Sequence, residues 1–256
     1  MRQCPILMYH WFRRPGRASA SRSPQLEITP ELFERQLALL ARAGYRTASL
    51  ARVVGLGSGG AADAASVPPA AKSIVLTFDD GTLDFWEHAR PALERHGFTA
   101  TLFVVTGHAG GQSSWDRDLG EPDRPLMGWE QLRALHAAGF EIGSHTHTHR
   151  PLTDLSDDEA RLELERSRRA LADELGLAPK FLAYPRGRYD ARHKRLAREA
   201  GYAGACAVIL RWRDLRHADR YALRRMTIKG QESMLRFRLR LALCRWVRYT
   251  ENGAQA

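Results

Sequence analysis

The sequence predicts an α/β fold built from repeating βα units with parallel strands, and three observations carry that prediction. First, short apolar or β-rich runs at 6–9, 74–78, 101–105, 140–142, 181–184 and 203–209 alternate with amphipathic stretches near 30–43, 84–96, 129–138, 157–175 and 190–200. Second, four of those helical stretches end in a glycine followed at once by an aromatic, at Gly44-Tyr45, Gly97-Phe98, Gly139-Phe140 and Gly201-Tyr202. A glycine there accepts the left-handed conformation that closes a helix, and the aromatic can pack back over the last turn. Third, no GxGxxG follows a predicted strand, which favours a barrel over a doubly wound open sheet.

Each element has local support. Thr29-Pro30-Glu31 supplies an N-cap, a proline at the first helical position and an early acid for the first helix. Ser156-Asp157-Asp158-Glu159 has capping-box spacing before the longest helix, which Gly176 ends. The small, polar-poor stretch 55–71 reads as a surface linker within the domain, and the long loop 107–125 is expected over the active face.

With 256 residues, 44% hydrophobic and 27% charged, the chain has ample material for a core, and disorder is excluded. No run is long enough to span a bilayer. Cys4, Cys206 and Cys244 are odd in number and far apart, so no disulfide framework is readable. The opening MRQCPILMYH has no long apolar core or small-residue cleavage site, and a reducing, cytoplasmic location is expected. The net charge is +10, and the stretch 211–248 holds twelve Lys/Arg against three acids, so most of the excess is local.

Three strand ends carry chemistry. Leu76-Thr77-Phe78-Asp79-Asp80-Gly81 runs an apolar strand into two adjacent carboxylates. A continuing strand would put them on opposite sides, but a stop at Gly81 would let both turn toward a site at the C-terminal end. Ser144-His145-Thr146-His147-Thr148-His149 places three histidines within five residues. His145 and His149, four apart, would share one face of a helical turn, which suits a borderline metal such as zinc. His147 between them would point away and serve behind the ligands. Phe181-Leu182-Ala183-Tyr184-Pro185-Arg186-Gly187 is a third strand leading into a tight turn whose backbone N–H can point into a pocket.

Together these motifs resemble the NodB-homology polysaccharide deacetylases, carbohydrate esterase family four, in the branch with a Tyr-Pro third motif. Leu7-Met8-Tyr9-His10 and Tyr221-Ala222-Leu223-Arg224-Arg225 resemble that branch too, so the likeness covers roughly residues 5–228. It implies a distorted (β/α)7 barrel with a catalytic domain over 1–230 and a metal-dependent hydrolase removing N-acetyl groups from an N-acetylhexosamine polysaccharide or a lipid-linked glycan. By the same resemblance Asp79 is the general base, while Asp80, His145 and His149 hold a divalent metal: zinc first, with cobalt, nickel or manganese as alternatives. Tyr184, Pro185 and Arg186 would bind substrate, with the Arg186 backbone N–H helping to stabilise the oxyanion.

Two departures stand out. Ala183 occupies the place of the arginine that usually orients the base, for which Arg188 is a candidate replacement. The usual C-terminal Leu-x-Leu-His is missing, leaving His10, or secondarily His217, as the general acid. They motivate an alternative of another class, a catalytically silent glycan- or membrane-binding protein on the same barrel. A third reading keeps the metal and changes the substrate to a non-sugar amide.

The segment 231–256 reads as a basic amphipathic tail, with Leu235, Phe237, Leu239 and Leu241 alternating with Arg236, Arg238 and Arg240. Residues 234–249 suit an anionic membrane surface, which would make the protein peripheral on the inner face. The alternative is a final strand and helix closing the barrel. Nucleic acid is not expected, since no recognition motif accompanies the charge.

Overall fold

The computed structural model describes residues 4–13, 16, 18–54, 72–176, 178–209 and 219–244. In chain order the elements are β1 (Ile6–Tyr9), β2 (Trp11–Phe12), β3 (Glu27–Ile28), α1 (Pro30–Arg42), β4 (Tyr45–Thr47), α2 (Leu50–Val53), β5 (Lys72–Phe78) and α3 (Arg90–Arg95). They continue with β6 (Thr101–Val104), α4 (Trp129–Ala137), β7 (Glu141–Ser144), α5 (Asp157–Leu175), β8 (Phe181–Ala183), α6 (Ala191–Glu199), β9 (Gly204–Val208), β10 (Leu223–Thr227) and α7 (Met234–Cys244).

Seven strands close a parallel barrel in the order β1-β10-β9-β8-β7-β6-β5, with β5 pairing back onto β1. The distortion sits at β5. Its first residues pair with the outlying β4, and only Thr77 and Phe78 pair with β6. The short parallel pair of β2 and β3 lies outside the barrel sheet.

Local chemistry explains the element ends. Thr29 accepts from Leu32 N at 3.2 Å, and Ser156 and Glu159 form the expected reciprocal capping box at α5. At all four glycine–aromatic junctions the glycine has positive φ, from 64° to 89°. The aromatics Tyr45, Phe98, Phe140 and Tyr202 are buried behind them. Pro91 enters α3 from a wider, π-helical turn at Phe85–Ala89, as expected of a residue that lacks the donor of a regular helical bond.

Six strands match the predicted runs within a residue or two; the seventh barrel strand, β10, was not among them. Its sequence, LRRMT, hides an inward-facing arginine where the pattern looks for an apolar residue. Ile6, Val75, Phe103, Phe181, Ala183, Cys206 and Leu223 meet inside the barrel, with Leu50 and Ala51 of α2 joining them. The alternate positions of the same strands pack outward against the helices.

The C-terminal stretch is also corrected. Among its described residues it forms no strand: Met234–Cys244 is one helix, and its Phe237 and Leu241 are buried in the main core. These two side chains tie α7 to the core across the boundary expected at residue 230. The linker 55–71, His217 and residues 245–249 lie outside the described residues.

Candidate active site

Strand periodicity sets what the barrel interior offers at each level. Val75, Thr77 and Asp79 share the inward side of β5 and its end, as Leu223 and Arg225 share that of β10. Val75 and Leu223 belong to the apolar inner cluster. One step higher, Arg225 donates to Thr77 Oγ1 at 3.2 Å and clasps Asp79 with both arms, Nη1 to Oδ1 at 2.6 Å and Nη2 to Oδ2 at 2.7 Å. Both partners are buried. Burial alone would raise the Asp79 carboxyl; the guanidinium, helped by His145 and His10, holds it down at about 2. The arginine that clasps Asp79 thus comes from β10, not from the third motif and not from Arg188.

Past Phe78 the chain turns sharply. Asp80 at φ 71° and Gly81 at φ 75° are both left-handed, which brings the Asp80 carboxylate to the barrel mouth beside Asp79. A side chain at Gly81 would also meet Val104 Cγ1 at 3.0 Å. Trp11 of β2 donates its indole N–H to Asp80 Oδ2 at 2.8 Å, leaving Oδ1 toward two histidines. His145 Nε2 lies 3.6 Å from that oxygen and His149 Nε2 3.5 Å. The Trp11 ring is covered in turn by the Arg124 guanidinium, 3.8 Å from its centroid, which Glu27 and Glu121 hold at 3.0 and 2.8 Å.

The two histidines converge by a route different from the one expected. Residues 145–149 are a bend, not a helical turn, and Thr146 and His149 both take φ of 65°. Glu163 of α5 holds the bend, accepting from the amides of His147 and Thr148 at 3.0 and 2.8 Å and from the Thr148 hydroxyl at 2.8 Å. The His147 ring, as expected, stands apart from the ligands; its Nδ1 lies 3.1 Å from Thr106 Oγ1. The four non-glycine residues with positive φ among the described residues, Asp80, Thr146, His149 and Arg186, all lie in these three motifs. Strain concentrated in this way marks a geometry held by its surroundings.

The donor set fits a divalent cation. Asp80, His145 and His149 each offer one ligand atom, and these atoms lie within 4.8 Å of one another in a buried cluster. His145 Nδ1 lies 2.8 Å from Ala183 O; a carbonyl only accepts, so this nitrogen carries the proton and Nε2 presents its lone pair. Burial lowers the pKa of both His145 and His149, keeping them in the neutral state that a ligand needs. Burial, then the adjacent Asp79, pushes Asp80 up to about 7, the signature of a carboxylate whose surroundings call for positive charge. Three protein ligands leave coordination positions open for water or substrate.

His10, at the end of β1, has its Nε2 4.0 Å from Asp79 Oδ2, and burial drives its pKa to about 4. The loop 107–125 lies over the site as expected: the Trp115 ring is 4.7 Å from that of His149, and Asp116 pairs with Arg186. The third motif requires a correction. Tyr184 is fully buried, with its hydroxyl donating to Tyr221 O at 3.0 Å, and Pro185 is buried as well. Of the three residues expected to bind substrate, only Arg186 presents a side chain outside the core. Sequence reasoning missed Arg225, Trp11 and Glu163. Arg225 alone had a sequence signal, in the likeness of 221–225 to the family; Trp11 and Glu163 had none.

A parallel barrel with paired carboxylates and two neutral histidines at the C-terminal ends of its strands offers a set of donors suited to a divalent cation on a βα barrel. Comparison with known proteins makes the class specific. The chain belongs to the polysaccharide deacetylase family, whose model matches residues 66–205. A Bacillus subtilis protein named as a polysaccharide deacetylase is 27% identical over 203 residues, covering 77% of this chain and 62% of that protein. The poly-β-1,6-N-acetyl-D-glucosamine N-deacetylase of Staphylococcus aureus is 25% identical over 139 residues, 51% of this chain and 46% of the relative. The chain thus spans about half to three-fifths of the length of these relatives. The deacetylase PplD of Streptococcus pyogenes, solved with acetate, superposes with a TM-score of 0.70 at 24% identity, covering 93% of this chain and 97% of that one.

Proposed function

We propose that the protein is a metal-dependent N-deacetylase that hydrolyses the acetamide of an N-acetylhexosamine in a polysaccharide or a lipid-linked glycan. The observation that carries this reading is the buried pair of unlike carboxylates. Asp79 is clasped by Arg225 and ionised, while Asp80 faces two neutral histidines. Two adjacent carboxylates are thereby split into a base and a ligand.

A divalent cation held by Asp80, His145 and His149, zinc by its donor types with cobalt, nickel or manganese as alternatives, supplies a Lewis acid that polarises the amide carbonyl and acidifies water. Asp79 then accepts the proton of the attacking water, its two oxygens fixed in direction by Arg225. His10 is neutral at working pH and stands beside Asp79, so it takes that proton over and delivers it to the amide nitrogen. The C–N bond breaks, leaving acetate and an amine. The Arg186 backbone N–H serves as a donor to the oxyanion. The half-buried Trp115 ring beside His149 offers an apolar face on which a sugar ring can lie.

The alternative of a silent binding protein rested on a missing arginine and a missing acid. Arg225 fills the first place and His10 is suited to the second, so the catalytic reading is the stronger. The test is acetate release by the metal-loaded chain from β-1,6-linked N-acetylglucosamine oligomers and from undecaprenyl-linked N-acetylated sugars. His10→Gln should slow turnover by about 10²–10⁴-fold with little change in KM. Turnover unaffected by His10→Gln would remove His10 as the acid.

A further inference from the structure

We propose that the outward face of α7 docks the protein on an anionic membrane surface. This helix carries two apolar stripes. Phe237 and Leu241, one turn apart, are buried in the core, and Met234 packs against it. Leu235, Leu239 and Leu243, also one turn apart, are exposed by 67%, 58% and 45%. They are three of the five large exposed hydrophobics among the described residues. A helix that only closes a barrel needs one apolar stripe and turns polar residues to solvent.

The charged residues of the helix itself are all arginines. Arg236 and Arg238 are exposed between its leucines. Glu232, the acid just before the helix, is buried and held by Arg240, whose Nη1 lies 2.9 and 2.8 Å from its two oxygens; Arg236 Nε reaches it only at 3.7 Å. Arg240 also donates to Thr227 O at 2.8 Å, which fixes the helix against β10. The chain continues in the same vein, as Arg245-Trp246-Val247-Arg248-Tyr249. Leucines that enter the acyl boundary, flanked by arginines that reach lipid phosphates, are the chemistry of an interfacial helix. A second copy of this chain is the poorer occupant, because it would bring Arg236 and Arg238 against their own equivalents with no acid on either helix to pair with them. At 11 residues the helix lies on a membrane and does not cross it; no helix among the described residues is long and apolar enough to do so.

The test is cosedimentation of the full chain with vesicles of phosphatidylglycerol and phosphatidylcholine, against phosphatidylcholine alone. The full chain should sediment with the anionic vesicles, less so as salt is raised, and remain in solution with the neutral ones. Leu235→Gln with Leu239→Gln should lower the vesicle partition coefficient by about tenfold or more, as should Arg236→Gln with Arg238→Gln. All four side chains are exposed and none belongs to the site described above, so melting temperature and acetate release from soluble oligomers should stay unchanged. Equal binding to neutral vesicles, no binding to anionic ones, or leucine variants that bind as the wild type would each overturn the proposal. So would a wild-type dimer in solution that the leucine variants dissociate. Vesicle binding is read without turnover, so its failure would not touch the deacetylase reading, and loss of activity would not touch this one.

Discussion

Arg225 is the residue on which the site's electrostatics turn. It places a full positive charge inside the barrel, 146 positions along the chain from the aspartate it clasps. Removing one partner of a buried pair leaves the other as an uncompensated charge, so Arg225→Met should cost about 3–5 kcal/mol of stability. Adding Asp79→Asn to that variant should restore much of the loss, and chemical denaturation of the double-mutant cycle checks it. Additive losses would mean that the two side chains do not act as a pair. The buried histidines carry a pH dependence of their own. Burial lowers the pKa values of His10, His145 and His149, His10 to about 4, so the unfolded chain binds protons below about pH 6.5 that the folded protein refuses, at His10 down to about 4. Their stabilisation is present above the unfolded value and is lost as pH falls through this window. Asp80, pushed up to about 7, opposes the trend with a single proton. The metal-free protein should therefore lose stability from pH 6.5 toward 4, and His10→Gln should flatten the slope by close to one proton. A slope unchanged by His10→Gln would contradict the burial of that ring as a neutral group.

At the scale of elements, the site depends on segments that hold strained turns from behind. Glu163, on α5, binds two amides and a hydroxyl of the bend that carries His145 and His149. Glu163→Gln replaces one accepting oxygen by a donor facing donors. It should weaken zinc binding by about 10–100-fold in a calorimetric titration while α5 stays folded; unchanged affinity would show that the bend holds itself. What could be read from the sequence was what is encoded locally. Helix caps and glycine–aromatic junctions depend on neighbours a few residues apart, and both were legible. The Asp-Asp-Gly and three-histidine motifs were legible for the same reason. Contacts made by the closed barrel were not. Trp11 reaches Asp80 across 69 positions, and nothing in its surroundings marks it. β10 escaped the hydrophobic pattern because its inward Arg225 meets an aspartate instead of a side chain of the apolar core. In α7 the eye catches leucine and arginine alternating at every second residue. The helical period instead sorts the same residues into an inner stripe, Phe237 and Leu241, and an outer one, Leu235, Leu239 and Leu243.

Over the whole molecule, the +10 charge divides into parts with different work. Arg225 serves the site from inside the barrel, Arg240 pins α7, and Arg236 and Arg238 face outward with the exposed leucines. The barrel itself grades from an apolar floor of Val75, Phe103, Phe181 and Leu223 to an ionic mouth at Asp79, Asp80 and Arg225. That gradient places low-dielectric surroundings beneath the reacting groups, where fixed charges act most strongly on a substrate. We propose that this mouth hydrolyses the acetamide of a glycan. The most direct test is acetate release from β-1,6-linked N-acetylglucosamine oligomers by the zinc-loaded full chain, beside the Asp79→Asn variant and a chelated sample. The zinc-loaded protein should turn over, Asp79→Asn should lose about 10²–10⁴-fold, and the chelated sample should recover when metal is returned. Equal rates for wild type and Asp79→Asn, or turnover indifferent to chelation, would contradict it.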